Sequence, residues 1–131
     1  HTANRRQRQM CIRDRNKPVF EEIAGEIYDF TKNSVFVAHN VNFDFRVLRN
    51  EFSQMGRKFD RDLLCTIELS KKVFPDMKSY SLGKLVSNLG IKIKNRHRAD
   101  GDAKATLDLF ILLKSKISQK ELDKYIKKQN E

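Results

Sequence analysis

The sequence predicts an α/β fold, because short apolar segments typical of strands alternate with longer segments that have helical spacing. Residues 35–38 (VFVA) and 62–66 (DLLCT) are short, apolar and partly β-branched, which favours buried strands. A helical pattern precedes the first of them, and another helical pattern follows each. The chain of 131 residues contains no internal repeat or low-complexity linker, so we expect one ordinary domain.

Three helices are predicted between Pro18 and Pro75. The first begins near Pro18, and its apolar residues recur at helical spacing: Phe20, Ile23, Ala24, Ile27 and Phe30. The second has a similar apolar stripe of Phe45, Leu48, Phe52 and Met55. It ends at Gly56, a residue that suits the position just after a helix. The third covers residues 67–74 and ends there because Pro75 cannot continue a helix.

Two further helices are predicted in the second half of the chain. Ser81 is a candidate N-cap for a helix that ends at Gly90 and carries Leu82, Leu85, Val86 and Leu89. Residues 99–117 follow a basic connection and form the longest predicted helix, with one apolar stripe of Ala103, Thr106, Leu107, Phe110 and Leu113. Residues 118–131 are expected to form a C-terminal helix or a frayed tail.

The charge of the chain favours a polyanionic partner. With 27 Lys and Arg against 17 Asp and Glu, the formal net charge is +10. Nucleic acid is the first candidate and an anionic membrane surface the second, while a plain soluble surface is the alternative. No segment approaches the roughly 18 apolar residues that a membrane span needs, and residues 1–10 are not expected to act as a secretory signal because no apolar core follows their charges. Cys11 and Cys65 are too few for a disulfide framework and fit the cytoplasm, where we expect the protein.

A first cluster of candidate site residues, His39 to Asp44, follows the strand predicted at residues 35–38. The carboxyl ends of strands are where α/β proteins place their ligand sites, so polar residues here favour a site. Asp44 is also placed to interact with the positive end of a helix dipole. A structural role remains the alternative, with Asp44 as a helix-start charge and His39 as a turn residue.

A second cluster, His97 to Asp102, lies at the start of the longest predicted helix. A histidine can take a proton from water near neutral pH, and a carboxylate can bind a divalent metal. The alternative is that Asp100 or Asp102 simply caps the helix. Taken together in a basic chain, the two clusters suggest a metal site for phosphodiester chemistry.

The motifs around these residues resemble an exonuclease family. Residues 35–52 (VFVAHNVNFDFRVLRNEF) resemble the second exonuclease motif of the DEDD superfamily. Residues 97–110 (HRADGDAKATLDLF) resemble the third motif in its histidine-containing DEDDh version, and residues 63–91 match the family between them. The similarity is to DnaQ-like 3′–5′ exonucleases of the DNA polymerase III epsilon subunit type, and it spans about residues 16–114.

The resemblance implies roles for the acidic residues and for one histidine. Asp44 and Asp102 are expected to bind Mg²⁺ or Mn²⁺ in a two-metal site, and His97 is expected to be the general base that activates water. The D-A-x-A-T continuation places the family's aspartate at Asp102 rather than at Asp100.

The same resemblance implies contacts with the substrate. His39, Asn40 and Phe43 are expected to line the site near the 3′-terminal nucleotide. The implied partner is a single-stranded or frayed DNA 3′ end, with RNA as a possible substrate. A polymerase or a fused nuclease domain is a further expected partner, and no membrane is expected to be one.

The resemblance also implies that part of the family's fold is missing. Members have an RNase H-like fold with a five-stranded sheet, and their first two carboxylates come from a D-x-E motif, which residues 1–38 lack. We therefore expect an incomplete domain without the first three strands and the first acidic motif. The expected division is a disordered or non-native basic leader (1–15), a partial exonuclease domain (16–117) and a C-terminal helix or tail (118–131).

Two hypotheses about function remain open at this point. The first is a 3′–5′ exonuclease domain, of proofreading or repair type, that is inactive as this isolated chain. The second is a non-catalytic nucleic-acid-binding module, which the charge and the missing ligands both favour. An exonuclease that acts on RNA is a variant of the first.

Overall fold

The computed structural model of the chain describes residues 19–93 and 99–129. Its helices and strands follow one another as α1 (Phe20–Phe30), β1 (Val35–Ala38), α2 (Val41–Gln54), β2 (Asp62–Cys65), α3 (Thr66–Val73), α4 (Leu82–Asn88), α5 (Ala99–Lys116) and α6 (Gln119–Asp123). The predicted α/β class is confirmed. The predicted leader, Pro18 and His97 lie outside the described residues.

The two strands form a small parallel sheet. Val35 pairs with Asp62 at one end and Ala38 with Cys65 at the other, and α2 makes the crossover between the strands. The far edge of β2 is bridged by Lys127, which exchanges two backbone hydrogen bonds of 2.9 and 2.7 Å with Leu63. Within residues 19–93 and 99–129, the other edge of the sheet, along β1, has no strand beside it.

Each face of the sheet packs against its own apolar core. Phe36 and Ala38 of β1 contact the first core, while Val37 between them contacts the second, as the alternation of a strand requires. The buried residues of the first core lie mainly on α1, α2 and β2: Ala24, Val41, Phe45, Phe52, Phe59, Leu63 and Cys65. Those of the second core lie mainly on the later helices: Leu64, Leu69, Leu85, Val86, Leu109, Leu113 and Leu122. The sheet is thus a thin middle layer between two helical layers.

The first core is largely aromatic. The rings of Phe52 and Phe59 stack with their centroids 4.4 Å apart, and Phe20 meets Phe52 edge to face at 5.0 Å. Such pairs add about 0.5–1.5 kcal/mol each beyond their buried area. The core therefore fixes α1 and α2 on one face of the sheet. Phe30, which was predicted to belong to the α1 stripe, is 88% exposed because it is the last residue of the helix.

The apolar stripe predicted for α5 is partly wrong. Ala105, Leu109 and Leu113 are the buried hydrophobic residues of this helix, and only Leu113 belongs to the predicted stripe. Leu107 from that stripe is 50% exposed. The helix has two neighbouring apolar stripes, and periodicity alone does not tell which one packs against the core.

The predicted helix ends are mostly confirmed. Gly56 follows α2 with φ of +74°, and the backbone N–H of Arg57 donates to the Phe52 carbonyl, which closes the end of the helix. Ser81 occupies the N-cap position of α4, but its hydroxyl contacts the Ser79 hydroxyl at 3.0 Å instead of capping the helix.

The C-terminal segment packs on the domain rather than fraying. Ser118 caps α6 by accepting a hydrogen bond from the Glu121 backbone N–H, and Leu122 is 5% exposed. No helix in the described parts of the chain is long and apolar enough to cross a membrane.

The two stripes of α5 provide a matched test of the fold. Leu109→Ala removes a fully buried side chain and should lower the free energy of unfolding by about 2–5 kcal/mol. Leu107→Ala, on the same helix, should cost less than about 1 kcal/mol because half of that side chain is already exposed. Chemical denaturation of both variants measures the difference. Equal losses would contradict the assignment of the buried stripe.

Candidate active site

The turn between β1 and α2 presents the first cluster of predicted site residues. Asn40 adopts the left-handed conformation (φ 73°, ψ 59°), which asparagine tolerates better than most residues. Its carbonyl accepts the first backbone hydrogen bond of the turn, from Phe43 at 3.1 Å, so that α2 starts two residues after the strand ends. Phe43 is 54% exposed, and the Arg46 guanidinium lies 5.9 Å from its ring centroid. This turn therefore places an aromatic ring at the surface near the end of β1.

His39 is held by the protein through both ring nitrogens. Nε2 lies 2.6 Å from the carbonyl oxygen of Tyr80, which can only accept, so Nε2 carries a proton. Nδ1 of the neutral ring then accepts from the Thr66 hydroxyl, 2.8 Å away. These bonds join the end of β1 to the start of α3 and to the segment before α4.

The environment of His39 favours the neutral imidazole. Burial lowers the pKa of His39 below its usual value, against the opposing effects of the Tyr80 carbonyl and the nearby Asp44 carboxylate. At neutral pH the ring therefore remains a donor at Nε2 and an acceptor at Nδ1. His39 thus mainly links three segments of the site through its hydrogen bonds.

Asp44 lies in the first turn of α2 and lines the pocket described below. Burial raises the pKa of the Asp44 carboxyl, while its own backbone N–H and His39 act in the opposite direction. A cation beside this carboxyl would favour its ionised form.

Asp102 lies in the first turn of α5 and lines the same pocket. Its backbone carbonyl accepts a hydrogen bond of 2.9 Å from the Thr106 hydroxyl one turn later. Asp102 is among the residues that line the pocket described next, whereas the exposed Asp100 is not.

A pocket of about 540 Å³ brings the carboxylates of the two clusters together. It is lined by Phe36, Val37, Ala38, His39, Asp44, Leu82, Asp102, Ala103, Thr106, Leu107 and Phe110. Phe36 and Val37 of β1 face opposite sides of the sheet, yet both line the pocket. The pocket therefore opens along the outer edge of that strand. Asn40 and Phe43 flank the pocket in sequence without lining it.

The pocket combines an acidic end with an apolar wall. Asp44 and Asp102 supply the carboxylates, and Leu107 and Phe110 of the second α5 stripe supply much of the wall. No lysine or arginine among the described residues lines it. Within the same residues, no three histidine, cysteine or acidic side chains are close enough to form a metal site by themselves.

Sequence reasoning missed three contributions to this site. Thr66 was predicted as the end of a strand, yet it begins α3 and binds His39. Its position at the carboxyl end of a strand was the available signal. Tyr80 acts through its backbone carbonyl, for which no sequence signal exists. Leu107 was predicted as core and instead lines the pocket.

Comparison with known proteins identifies the family of this chain. A sequence model of the RNase_T family, described as exonuclease, matches residues 8–110, so the chain belongs to this family of exonucleases. The resemblance to DnaQ-like 3′–5′ exonucleases is thereby confirmed.

Curated relatives carry a more particular name. The chain is 40% identical over 107 residues to the protein named 3′–5′ exonuclease DinG in Staphylococcus aureus strains USA300, NCTC 8325 and COL. The alignment covers 81% of this chain and 12% of each relative, so the chain spans only a small part of the length of these proteins.

The neutral state of His39 is testable by its titration. Because the folded pKa is below 6.5, the unfolded chain binds more protons between that pKa and 6.5, and stability should fall as the pH drops through this window. An NMR titration of the ring, assigned with His39→Gln, should give a pKa below 6.5. The loss of stability between about pH 7 and pH 5 should be smaller in His39→Gln. A measured pKa at or above 6.5 would show that the hydrogen bonds outweigh burial.

Proposed function

We propose that this chain supplies part of the active site of a metal-dependent 3′–5′ exonuclease that removes nucleotides from DNA 3′ ends. The observation that carries the proposal is that Asp44 and Asp102, 58 positions apart in sequence, line one pocket at the end of β1. Membership of the exonuclease family and the name of the relatives support the same reaction.

The residues of the pocket fit a divalent cation such as Mg²⁺ or Mn²⁺. Carboxylate oxygens are the ligands that these ions prefer, and burial raises the pKa of the Asp44 carboxyl, an effect that a bound cation would oppose. Asp44 and Asp102 would hold the metal. When bound, a pair of such ions supplies activated water and stabilises the leaving oxygen of the phosphodiester.

The chain's own residues would orient the substrate. His39 fixes the turn that carries Asn40 and Phe43, so these two can contact the last nucleotide beside the pocket. The exposed Phe43 ring offers a face on which a base can stack. The apolar wall formed by Leu107 and Phe110 would shield the reacting phosphate from water.

The proton of the attacking water has a proposed acceptor in His97. A histidine with an ordinary pKa is half-neutral near pH 6.5, which suits a general base at physiological pH. His97 precedes Asp102 by five positions in the sequence. Its side chain lies outside the described residues.

The missing carboxylates would come from a strand beside β1. The outer edge of β1 is unpaired in the described part of the chain, and the pocket runs along it. Two of the four residues of β2 have relative exposures of 3% or less. In contrast, none of the four residues of β1 is buried. A strand with the D-x-E motif placed here would complete both the sheet and the acidic site. As given, the chain is proposed to be inactive because half of the family's carboxylates are absent.

The setting of the reaction follows from the same resemblance. DNA is proposed as the substrate because the motifs resemble those of proofreading exonucleases, and the cytoplasm is proposed as the location. Since the curated relatives extend far beyond the matched region, we also propose that the domain works beside a polymerase or further domains.

Activity assays test the proposed reaction and the need for the missing D-x-E motif separately. Chain 1–131 should release no mononucleotides from 3′-labelled single-stranded DNA with Mg²⁺. A fusion that places the D-x-E strand segment of an active family member before residue 16 should gain this activity. Asp44→Asn and Asp102→Asn should each abolish it, by at least about 100-fold, because each removes a metal ligand. Asp108→Asn is the matched control, since that aspartate lies on α5 and pairs with Lys104.

Two outcomes would contradict parts of the proposal. Release of nucleotides by the unfused chain, lost in Asp102→Asn, would show that the chain is active without the motif. A folded fusion that binds DNA but never hydrolyses it would overturn the exonuclease function and favour a binding module.

A further inference from the structure

A second groove, of about 490 Å³, lies next to the candidate active site. It is lined by Lys78, Ser79, Gly83, Lys84, Ser87 and Asn88. Two side chains are cationic, and three others offer hydroxyl or amide groups that can donate hydrogen bonds. No carboxylate and no large apolar side chain lines this groove within the described residues. This composition fits an anionic ligand with many acceptor oxygens.

The positive charge of the groove is uncompensated. In the described part of the chain, neither Lys78 nor Lys84 forms an ion pair, although five other lysines do so with nearby carboxylates. Both lysines are exposed, so their ammonium groups can reach an external anion without leaving a protein partner. Binding such an anion therefore breaks no existing ion pair.

The groove is joined to the active-site pocket through residues 78–82. Lys78 and Ser79 line the groove, and Leu82 at the end of the same segment lines the pocket. Between them, the Tyr80 carbonyl accepts the hydrogen bond from His39 Nε2, which fixes the segment to the end of β1. A contact of 3.0 Å between the Ser79 and Ser81 hydroxyls further orders it. The two cavities thus lie on either side of one anchored segment.

We propose that this groove binds the phosphates of the single DNA strand whose 3′ end occupies the pocket. The inference rests on the proposed exonuclease function and adds the site that holds the strand upstream of the cleaved bond. Lys78 and Lys84 would neutralise backbone phosphates, and Ser79, Ser87 and Asn88 would donate hydrogen bonds to their oxygens. Such contacts carry no sequence information, which suits an enzyme that acts on any 3′ end.

A third groove provides a contrast at the opposite end of α2. It is lined by Arg49, Ser53, Gly56, Arg57, Lys58 and Phe59. Its cations are partly engaged within the protein, since the Arg57 guanidinium lies 4.3 Å from the Tyr28 ring centroid and Lys58 pairs with Asp60 at 3.3 Å. Ser53 of this groove lies nine residues after Asp44 of the pocket, which is about 14 Å along α2. The groove beside the site is therefore the better candidate for the substrate strand.

The test compares two double variants of chain 1–131 that lose the same charge. Lys78→Ala/Lys84→Ala removes the cations of the groove. Lys32→Ala/Lys58→Ala is the control, because these lysines lie before β1 and β2, at the end of the sheet away from the pocket. Fluorescence anisotropy measures the affinity of each protein for a thymidine oligonucleotide of about twelve nucleotides, a length that spans a typical single-strand site, at several salt concentrations.

Loss of two phosphate contacts should reduce the slope of log K against log salt by about 1.4. Near 0.1 M salt, Lys78→Ala/Lys84→Ala should therefore bind the oligonucleotide about 25-fold more weakly than wild type. This difference in affinity should disappear towards 1 M salt. The control should change both quantities much less, and Lys78→Arg/Lys84→Arg should retain most of the affinity because it keeps the charge. Thermal unfolding of each variant confirms that the fold is intact.

Equal losses in the two double variants, or unchanged binding by Lys78→Ala/Lys84→Ala, would overturn the proposed groove. A wild-type chain with no measurable affinity for the oligonucleotide at low salt would overturn it as well. Failure of the exonuclease function would give a different result. The fusion with the D-x-E segment would then hydrolyse no DNA, while the two double variants would still differ in the salt dependence of oligonucleotide binding.

Discussion

The parallel register of β1 and β2 is the constraint on which the candidate site depends. Because Ala38 pairs with Cys65, the next residues of both strands, His39 and Thr66, come together at the same edge. Their side chains meet at 2.8 Å, and the other nitrogen of the His39 ring reaches Tyr80. A shift of one residue in this pairing would move each β2 side chain to the opposite face of the sheet, into the wrong core, and would separate this pair. The turn that carries Asp44 and the segment beside the basic groove are both positioned by this junction.

The second constraint is the packing of α5. Leu109 and Leu113 anchor this helix in the core formed with α3 and α4, so its first turn is brought to the end of the sheet where Asp44 lies. Asp44 and Asp102 both line the pocket between them, and burial raises the pKa of the Asp44 carboxyl. In the proposed function, the acidic groups of this pocket bind metal, and the unpaired lysines of the neighbouring groove bind phosphate.

Much of this architecture could be predicted from local patterns. Residue types and spacing predict the strand at residues 35–38, the helix ends at Gly56 and Gly90, and the location of Asp44 and Asp102 at element ends. They also predict the second strand, but as residues 62–66, one residue longer than the observed Asp62–Cys65. Tertiary features could not be predicted in this way. The choice between the two stripes of α5 depends on which neighbour each stripe meets, and the bond from His39 to Tyr80 uses a backbone atom. The pairing of Lys127 with Leu63 likewise depends on the path of the whole chain.

The central claim is that Asp44 and Asp102 face one cation-binding space. Paramagnetic broadening of amide NMR signals by Mn²⁺ tests it most directly, because broadening depends on distance from the bound ion. At low Mn²⁺ concentration, the signals of both aspartates and of Ala103 in the pocket should broaden together, while Lys32, at the other end of the sheet, should stay sharp. Asp44→Asn should weaken the broadening around Asp102 as well. Broadening confined to one aspartate, or unchanged around Asp102 in Asp44→Asn, would contradict a shared site.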